Sequence, residues 1–104
     1  MKYPAWVYVL RNETNGKAYV GISSNPKRRK STHLSDLRCG RHPVEDMQAD
    51  FTRCGGRFSF TILERVDERS QRSAEFRWQI KLRTLNRHTG YNYKDPVTNW
   101  YNRP

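Results

Sequence analysis

Two runs of aromatic and β-branched residues flank Asn15-Gly16, and this pattern constrains the fold more than any other feature of the chain. The first run covers residues 5–11 and the second covers residues 17–22. Aromatic and β-branched residues favour β-strands. Asn-Gly is a strong hairpin signal because both residues tolerate positive φ. The sequence therefore predicts an antiparallel β-hairpin in which alternate side chains point to opposite faces.

Helix-start signals and apolar spacing define the rest of the predicted fold. Asn25 is a suitable helix cap, and Pro26 fits the first turn of the helix that follows. Later segments show either helical spacing or strand-like alternation of apolar residues. The expected elements after the hairpin are a helix over 26–38, a helix over 44–54, a strand over 58–66 and a long helix over 67–85. We predict a small α/β sandwich, with a three-stranded, mainly antiparallel sheet flanked by about three helices.

The length and hydrophobic content limit the size of the core. A chain of 104 residues corresponds to one domain, and we expect residues 1–104 to form it, with a tail of no usable pattern at 93–104. Only 35% of residues are hydrophobic, so the core should be thin. No apolar run is long enough to cross a membrane. The expected core fillers are aromatic: Phe51, Phe58, Phe60, Phe76 and Trp78.

The charge balance favours a polyanionic partner. Lysine and arginine number 20 against 10 acidic residues, which gives a formal net charge of +10. Such a surface attracts phosphate backbones, and aromatic residues interleaved with arginines favour nucleic acid. The alternatives are a soluble basic protein without this role, or one that is attracted to acidic membranes. The candidate DNA-contacting residues are Lys27, Arg28, Lys30 and Arg41.

Phosphodiester hydrolysis defines which residue types to look for. The reaction needs an activated water, neutralisation of charge on the phosphate and stabilisation of the leaving oxygen. Glu75 is the best-placed carboxylate for a divalent metal, and the lack of convergent acids favours a single ion. Arg29 could bind phosphate, and His33 lies on the same helical face. Alternatively, Glu75 is a solvated glutamate paired with Arg72 or Gln79, and Arg29 is an ordinary surface arginine.

The chain resembles the GIY-YIG endonuclease family over about residues 5–92, and especially its homing-endonuclease branch. The two short motifs that name the family appear in altered form as Trp6-Val7-Tyr8 and Tyr19-Val20-Gly21. The resemblance implies that tyrosines of these motifs serve the site, whereas the residues alone allow simple packing. Five further family positions are matched in order, by Arg29, His33, His42, Glu75 and Asn92.

The resemblance implies a role for each matched residue. Glu75 would hold one Mg²⁺ or Mn²⁺ ion. Tyr8 would be the general base or would orient the water, with Tyr19 beside it. Arg29 would stabilise the phosphate, and His33 would position or shuttle protons near Tyr8. The supporting residues would be Gly21, His42 and Asn92.

The implied function is a metal-dependent DNA endonuclease of phage or mobile-element type, acting in the cytoplasm of a bacterial or phage-infected cell. It would act on double-stranded DNA with no small-molecule cofactor beyond the metal. One active site cuts one strand, so we expect nicking, and a double-strand break would need a dimer on DNA or a second encounter. The alternatives are a catalytically silent DNA-binding or repressor module with the same fold, and a ribonuclease.

Overall fold

The computed structural model describes residues 4–93. Within them, three strands form one antiparallel sheet in the order β2-β1-β3, and three helices pack on it. The predicted α/β fold class is confirmed, whereas most of the predicted tail, residues 94–104, lies outside the described residues. The elements are β1 (Ala5–Asn12), β2 (Ala18–Ser23), α1 (Pro26–Arg38), α2 (Glu45–Cys54), β3 (Phe58–Val66), a 3₁₀ turn (Glu68–Ser70) and α3 (Gln71–Lys81).

The predicted hairpin is present, and five residues connect its two strands. β1 pairs with β2 so that Tyr8 lies opposite Gly21. The backbone N–H of Asn12 donates to the carbonyl of Lys17 at 2.8 Å and closes the loop. In this loop Gly16 has a φ of 78°, a backbone conformation that is unfavourable for a residue with a side chain. Asn15 accepts the Lys17 backbone N–H at 2.9 Å, so the Asn-Gly pair fixes the turn as its residue types suggest.

The alternation of side chains on β1 and β2 divides the core into two faces. On the face that we call the aliphatic face, Val7, Val9, Val20 and Ile22 pack with Ala74 of α3. The opposite face, called the aromatic face, packs against α1 and α2. Its buried residues are Tyr8, Leu10, Tyr19, Leu37, Met47 and Tyr91.

The expected aromatic core is only partly correct. Phe51, Phe58 and Phe60 are partly buried against the aromatic face, and Trp78 is partly buried against the aliphatic face. Phe76 is 44% exposed, so its assignment to the core was wrong. The reason is helical geometry: Ala74 and Trp78 are four residues apart and share the packed side of α3, and Phe76 lies on another side.

Local capping explains where the helices begin and end. The Asn25 side chain accepts the backbone N–H of Arg28 at 3.2 Å, which starts α1 where the sequence predicts. The long helix predicted over 67–85 is shorter in the structure, because a 3₁₀ turn precedes α3 and Arg83 adopts a φ of 58° after it. The Thr84 backbone N–H donates to the carbonyl of Gln79 at 3.0 Å and closes this end. Among residues 4–93, the helices are too short or too polar to cross a membrane.

Candidate active site

A buried chain of three hydrogen-bonded rings runs through the aromatic face. The Tyr8 hydroxyl oxygen and His33 Nε2 are 2.6 Å apart. His33 Nδ1 and His42 Nε2 are 2.8 Å apart. Tyr8 and His33 have no solvent exposure, and His42 is 4% exposed. Strand alternation turns Tyr8 towards α1, and the helix presents His33 to it, so residues 25 positions apart in sequence meet.

His42 is held in place by α2 and by the turn before it. The backbone N–H of Val44 donates to His42 Nδ1 at 3.1 Å. The Gln48 side-chain oxygen accepts the backbone N–H of His42 at 2.9 Å, and the Gln48 amide nitrogen donates to the Leu37 carbonyl at 3.0 Å. Gln48 therefore ties the His42 turn to the end of α1.

The two buried histidines, His33 and His42, are neutral at pH 7. Burial lowers the pKa of His33 well below its ordinary value of 6.5, and the nearby charges of His42 and Arg29 act in the same direction. Burial also lowers the pKa of His42 to about 4, against an opposing effect of the Asp36 carboxylate. A neutral imidazole has one nitrogen that donates and one that accepts, so each ring can take part in a directed chain of hydrogen bonds.

Aromatic contacts fix the orientation of the rings. The Tyr19 and His33 rings meet edge to face with centroids 5.5 Å apart. The Tyr8 ring stacks on Phe60 at a centroid distance of 4.8 Å. Gly21 pairs with Tyr8 across the two strands and adds no side chain beside it. The structure thus brings Tyr8, Tyr19, His33 and His42 together.

Arg29 lies on α1, one helical turn before His33. It lines an open cavity of about 210 Å³ together with Ser23, Asn25, Arg28 and Thr32. This cavity carries two guanidinium groups next to the N-terminus of a helix, which suits an anion. The other candidate DNA-contacting residues, Lys27, Lys30 and Arg41, are exposed.

Glu75 lies on α3 and is 1% exposed. This burial excludes the alternative in which Glu75 is a solvated helical glutamate. A carboxylate is rarely buried unless it is paired or binds a metal. α3 packs on the aliphatic face and α1 on the aromatic face, but both helices contact β2. In the described part of the chain, no group of three or more His, Cys, Asp or Glu residues could hold a metal ion.

Sequence and structural similarity assign the family. The family model of the GIY-YIG catalytic domain matches residues 4–92. The chain belongs to the GIY-YIG family. It is 31% identical over 90 residues to Intron-associated endonuclease 1 of Enterobacteria phage T4, covering 86% of this chain and 36% of that protein. The chain therefore spans little more than a third of the length of this curated relative.

Solved structures of GIY-YIG domains share the fold. The catalytic domain of homing endonuclease I-TevI superimposes with a TM-score of 0.76 at 27% identity, covering 84% of this chain and 95% of that domain. A mutant form of the same catalytic domain gives a TM-score of 0.74 at 29% identity, covering 86% and 93%.

The last matched position of the GIY-YIG pattern supports the sheet. The Asn92 side-chain oxygen accepts the Val20 backbone N–H at 2.8 Å, and its amide nitrogen donates to the Val20 carbonyl at 3.1 Å. The Tyr91 backbone N–H also donates to the Ala18 carbonyl at 2.9 Å. Residues 90–92 thus continue the sheet along the outer edge of β2, the strand that carries Tyr19 and Gly21.

Neither Gln48 nor the Val44 backbone group was identified from the amino-acid sequence. Gln48 is one of several polar residues on α2, and its spacing from His42 matches no motif.

Proposed function

We propose that this chain is a divalent-metal-dependent endonuclease that hydrolyses phosphodiester bonds of double-stranded DNA and cuts one strand per active site. The observation that carries the proposal is the buried hydrogen-bonded chain of Tyr8, His33 and His42. It occurs in a GIY-YIG domain whose relatives include an intron-associated endonuclease of Enterobacteria phage T4. A buried polar chain of this kind is costly unless every member is satisfied, so it favours a role in chemistry over a role in packing.

Tyr8 is the residue that we assign to the water. Its hydroxyl is fixed by a hydrogen bond of 2.6 Å to a neutral histidine, and its ring is stacked on Phe60. A phenol held in one direction can orient a water molecule, and once it has lost its own proton the phenolate can take a proton from that water. Tyr19 packs against the same histidine ring and holds the arrangement in place.

Arg29 is the residue that we assign to the phosphate. A guanidinium binds two phosphate oxygens in a planar, bidentate manner. Lys27, Arg28, Lys30 and Arg41 are exposed, and they add positive charge for the flanking phosphates. Binding should therefore weaken as salt is raised, because binding releases counterions from the DNA and this release becomes less favourable at higher salt.

Glu75 is the residue that would hold the metal. Mg²⁺ keeps several water ligands and is commonly bound through one or two carboxylates together with substrate phosphates. The buried carboxylate of Glu75 fits this requirement, and we propose that it holds one Mg²⁺ or Mn²⁺ ion. Once bound, the ion would neutralise charge on the phosphate and stabilise the leaving oxygen.

The remaining expectations follow from the same assignment. We propose that residues 1–104 form one nuclease domain, that it acts in the cytoplasm of a bacterial or phage-infected cell, and that it needs no small-molecule cofactor besides the metal. A single site would release nicked DNA first. A double-strand break would then require a second copy on the DNA or a second encounter.

Cleavage of supercoiled plasmid in Mg²⁺ or Mn²⁺ tests the proposal. We expect the wild-type protein to produce nicked circles before linear DNA. We expect Glu75→Gln to cut at least about 100-fold more slowly, since the loss of a metal ligand removes several kcal/mol of transition-state stabilisation. Glu75→Gln keeps the size of the side chain, so circular dichroism and gel-shift binding in EDTA should remain unchanged.

Glu45→Gln provides the matched control, because Glu45 is exposed on α2 and its replacement should leave cleavage intact. A wild-type protein that binds DNA but neither nicks nor linearises it in any divalent metal would contradict the proposal. That result would favour a silent DNA-binding module. Preferential digestion of RNA of the same sequence would instead identify a ribonuclease.

A further inference from the structure

The Val44 backbone N–H determines which nitrogen of His42 carries the proton. A backbone N–H group can only donate a hydrogen bond. It points at His42 Nδ1 at 3.1 Å, so Nδ1 must present its lone pair. In the neutral ring the proton is then on Nε2, because one imidazole nitrogen donates and the other accepts.

The tautomer of His42 determines which atom donates in each of the hydrogen bonds that connect His42, His33 and Tyr8. His42 Nε2–H donates to His33 Nδ1 across the 2.8 Å contact. His33 Nδ1 therefore accepts, its proton is on Nε2, and this N–H donates to the Tyr8 oxygen at 2.6 Å. The reverse direction would place a proton on His42 Nδ1, directly against the Val44 N–H. Two donors at that distance repel each other, so the reverse chain is disfavoured.

Gln48 links the turn that contains His42 to helix α1. Its oxygen accepts the His42 backbone N–H, and its amide nitrogen donates to the Leu37 carbonyl of α1 and to the Thr52 hydroxyl at 3.2 Å. α1 also carries His33. Gln48 therefore fixes the separation between the turn that sets the His42 tautomer and the helix that presents His33.

We propose that Gln48 is a positioning residue that, together with the Val44 N–H, locks His42 and His33 as Nε2–H tautomers, so that His33 donates to Tyr8 and does not take its proton. The proposal rests on the proposed function for its catalytic consequence. The Tyr8 proton is directed away from His33, and negative charge on the Tyr8 oxygen is stabilised by an imidazole N–H. His33 thus acts towards the Tyr8 phenol as a hydrogen-bond donor and not as a base.

The electrostatics of the two rings agree with this direction. A cationic His33 would need to donate from both nitrogens, which the His42 Nε2–H opposes. Burial and the neighbouring charges lower the pKa of His33, and burial lowers the pKa of His42 to about 4. Both rings therefore stay neutral at pH 7, where a single tautomer can be observed.

Nitrogen-15 NMR of the histidine rings tests the proposal directly in the full chain, without DNA or metal. We expect His33 and His42 to show the Nε2–H pattern at neutral pH. His88 is exposed and provides an internal reference for a ring on the surface. A wild-type spectrum with His33 or His42 as the Nδ1–H tautomer would overturn the proposal.

The variant Gln48→Met tests the positioning role. It keeps the length of the side chain and removes its hydrogen bonds. We expect a second tautomer to appear at His42 or His33. Plasmid cleavage in Mg²⁺ should be about 10-fold to 100-fold slower at saturating DNA, with an unchanged KM, as is typical when an orienting partner is removed. Gln71→Met, at the start of α3, is the matched control and should change neither readout.

Retention of both wild-type tautomers and of full kcat in Gln48→Met would refute the role of Gln48. Failure of the variant to fold leaves the wild-type spectrum as the decisive measurement. The endonuclease proposal and the tautomer proposal can also be contradicted independently of each other. A wild-type protein that cuts no DNA but shows the Nε2–H tautomers would contradict the endonuclease assignment alone.

Discussion

Acidification should destabilise this protein through its buried histidines. The folded pKa of His42 is about 4, below its ordinary value of 6.5. Between these values the unfolded chain binds more protons than the folded chain, so stability falls as the pH falls. The contribution is complete above about pH 6.5 and is lost progressively towards about pH 4. His33 acts in the same direction, because burial also lowers its pKa.

The size of the effect follows from the two pKa values of His42. Linkage between about pH 7.5 and pH 5 gives a loss of about 2 kcal/mol from this residue alone, since each pKa unit corresponds to about 1.4 kcal/mol. A loss of this size is a large part of the stability of a small domain, which is typically about 5–15 kcal/mol. The buried position of the ring means that solvent screening reduces the effect little.

Urea unfolding followed by tryptophan fluorescence at the two pH values measures the loss. His42→Gln should show about 2 kcal/mol less pH dependence than the wild type. His88→Gln should retain the full dependence, because His88 is exposed. The comparison uses the change within each variant, so a general destabilisation by the substitution does not affect it. Equal pH dependence in His42→Gln and the wild type would refute the reasoning.

Two substitutions at the end of the described chain test how the outer edge of β2 is held. Asn92→Asp should lower the free energy of unfolding by about 2 kcal/mol, because a carboxylate oxygen would face the Val20 carbonyl, to which the Asn92 amide now donates at 3.1 Å. A change below about 0.5 kcal/mol in urea unfolding would contradict this prediction. Gly90→Ala should cost about 1–3 kcal/mol, since a Cβ there would lie 2.1 Å from the Thr84 Cα. Gly40→Ala is the control in thermal unfolding, because a Cβ there meets no atom within 4 Å and only its φ of 74° adds a cost.

Features that depend on local rules could be predicted from the sequence. Asn25 and Pro26 gave the start of α1 because capping acts over a few residues. The alternation of β1 placed Tyr8 away from the valines, and the four-residue spacing placed Arg29 beside His33. The burial of Glu75 was not predictable by such rules, because it depends on how α3 packs against the sheet.

Features that depend on tertiary contacts were missed or wrong. The hydrogen bonds of Gln48 join two helices, and no pattern on either helix indicates them. Phe76 was assigned to the core from its hydrophobicity, although the Ala74–Trp78 spacing already defined a different packed side. The end of α3 depends on Arg83, whose positive φ could not be inferred because arginine rarely adopts it.

The segment 90–92 has a consequence beyond the candidate site. A strand at the rim of a sheet presents unpaired peptide groups on which another chain can assemble. Tyr91 and Asn92 occupy these groups at Ala18 and Val20 with bonds from within the same molecule. A small, basic protein with a narrow sheet therefore protects the strand carrying Tyr19 from intermolecular pairing, and the same few residues that complete the family pattern help to keep the protein from aggregating.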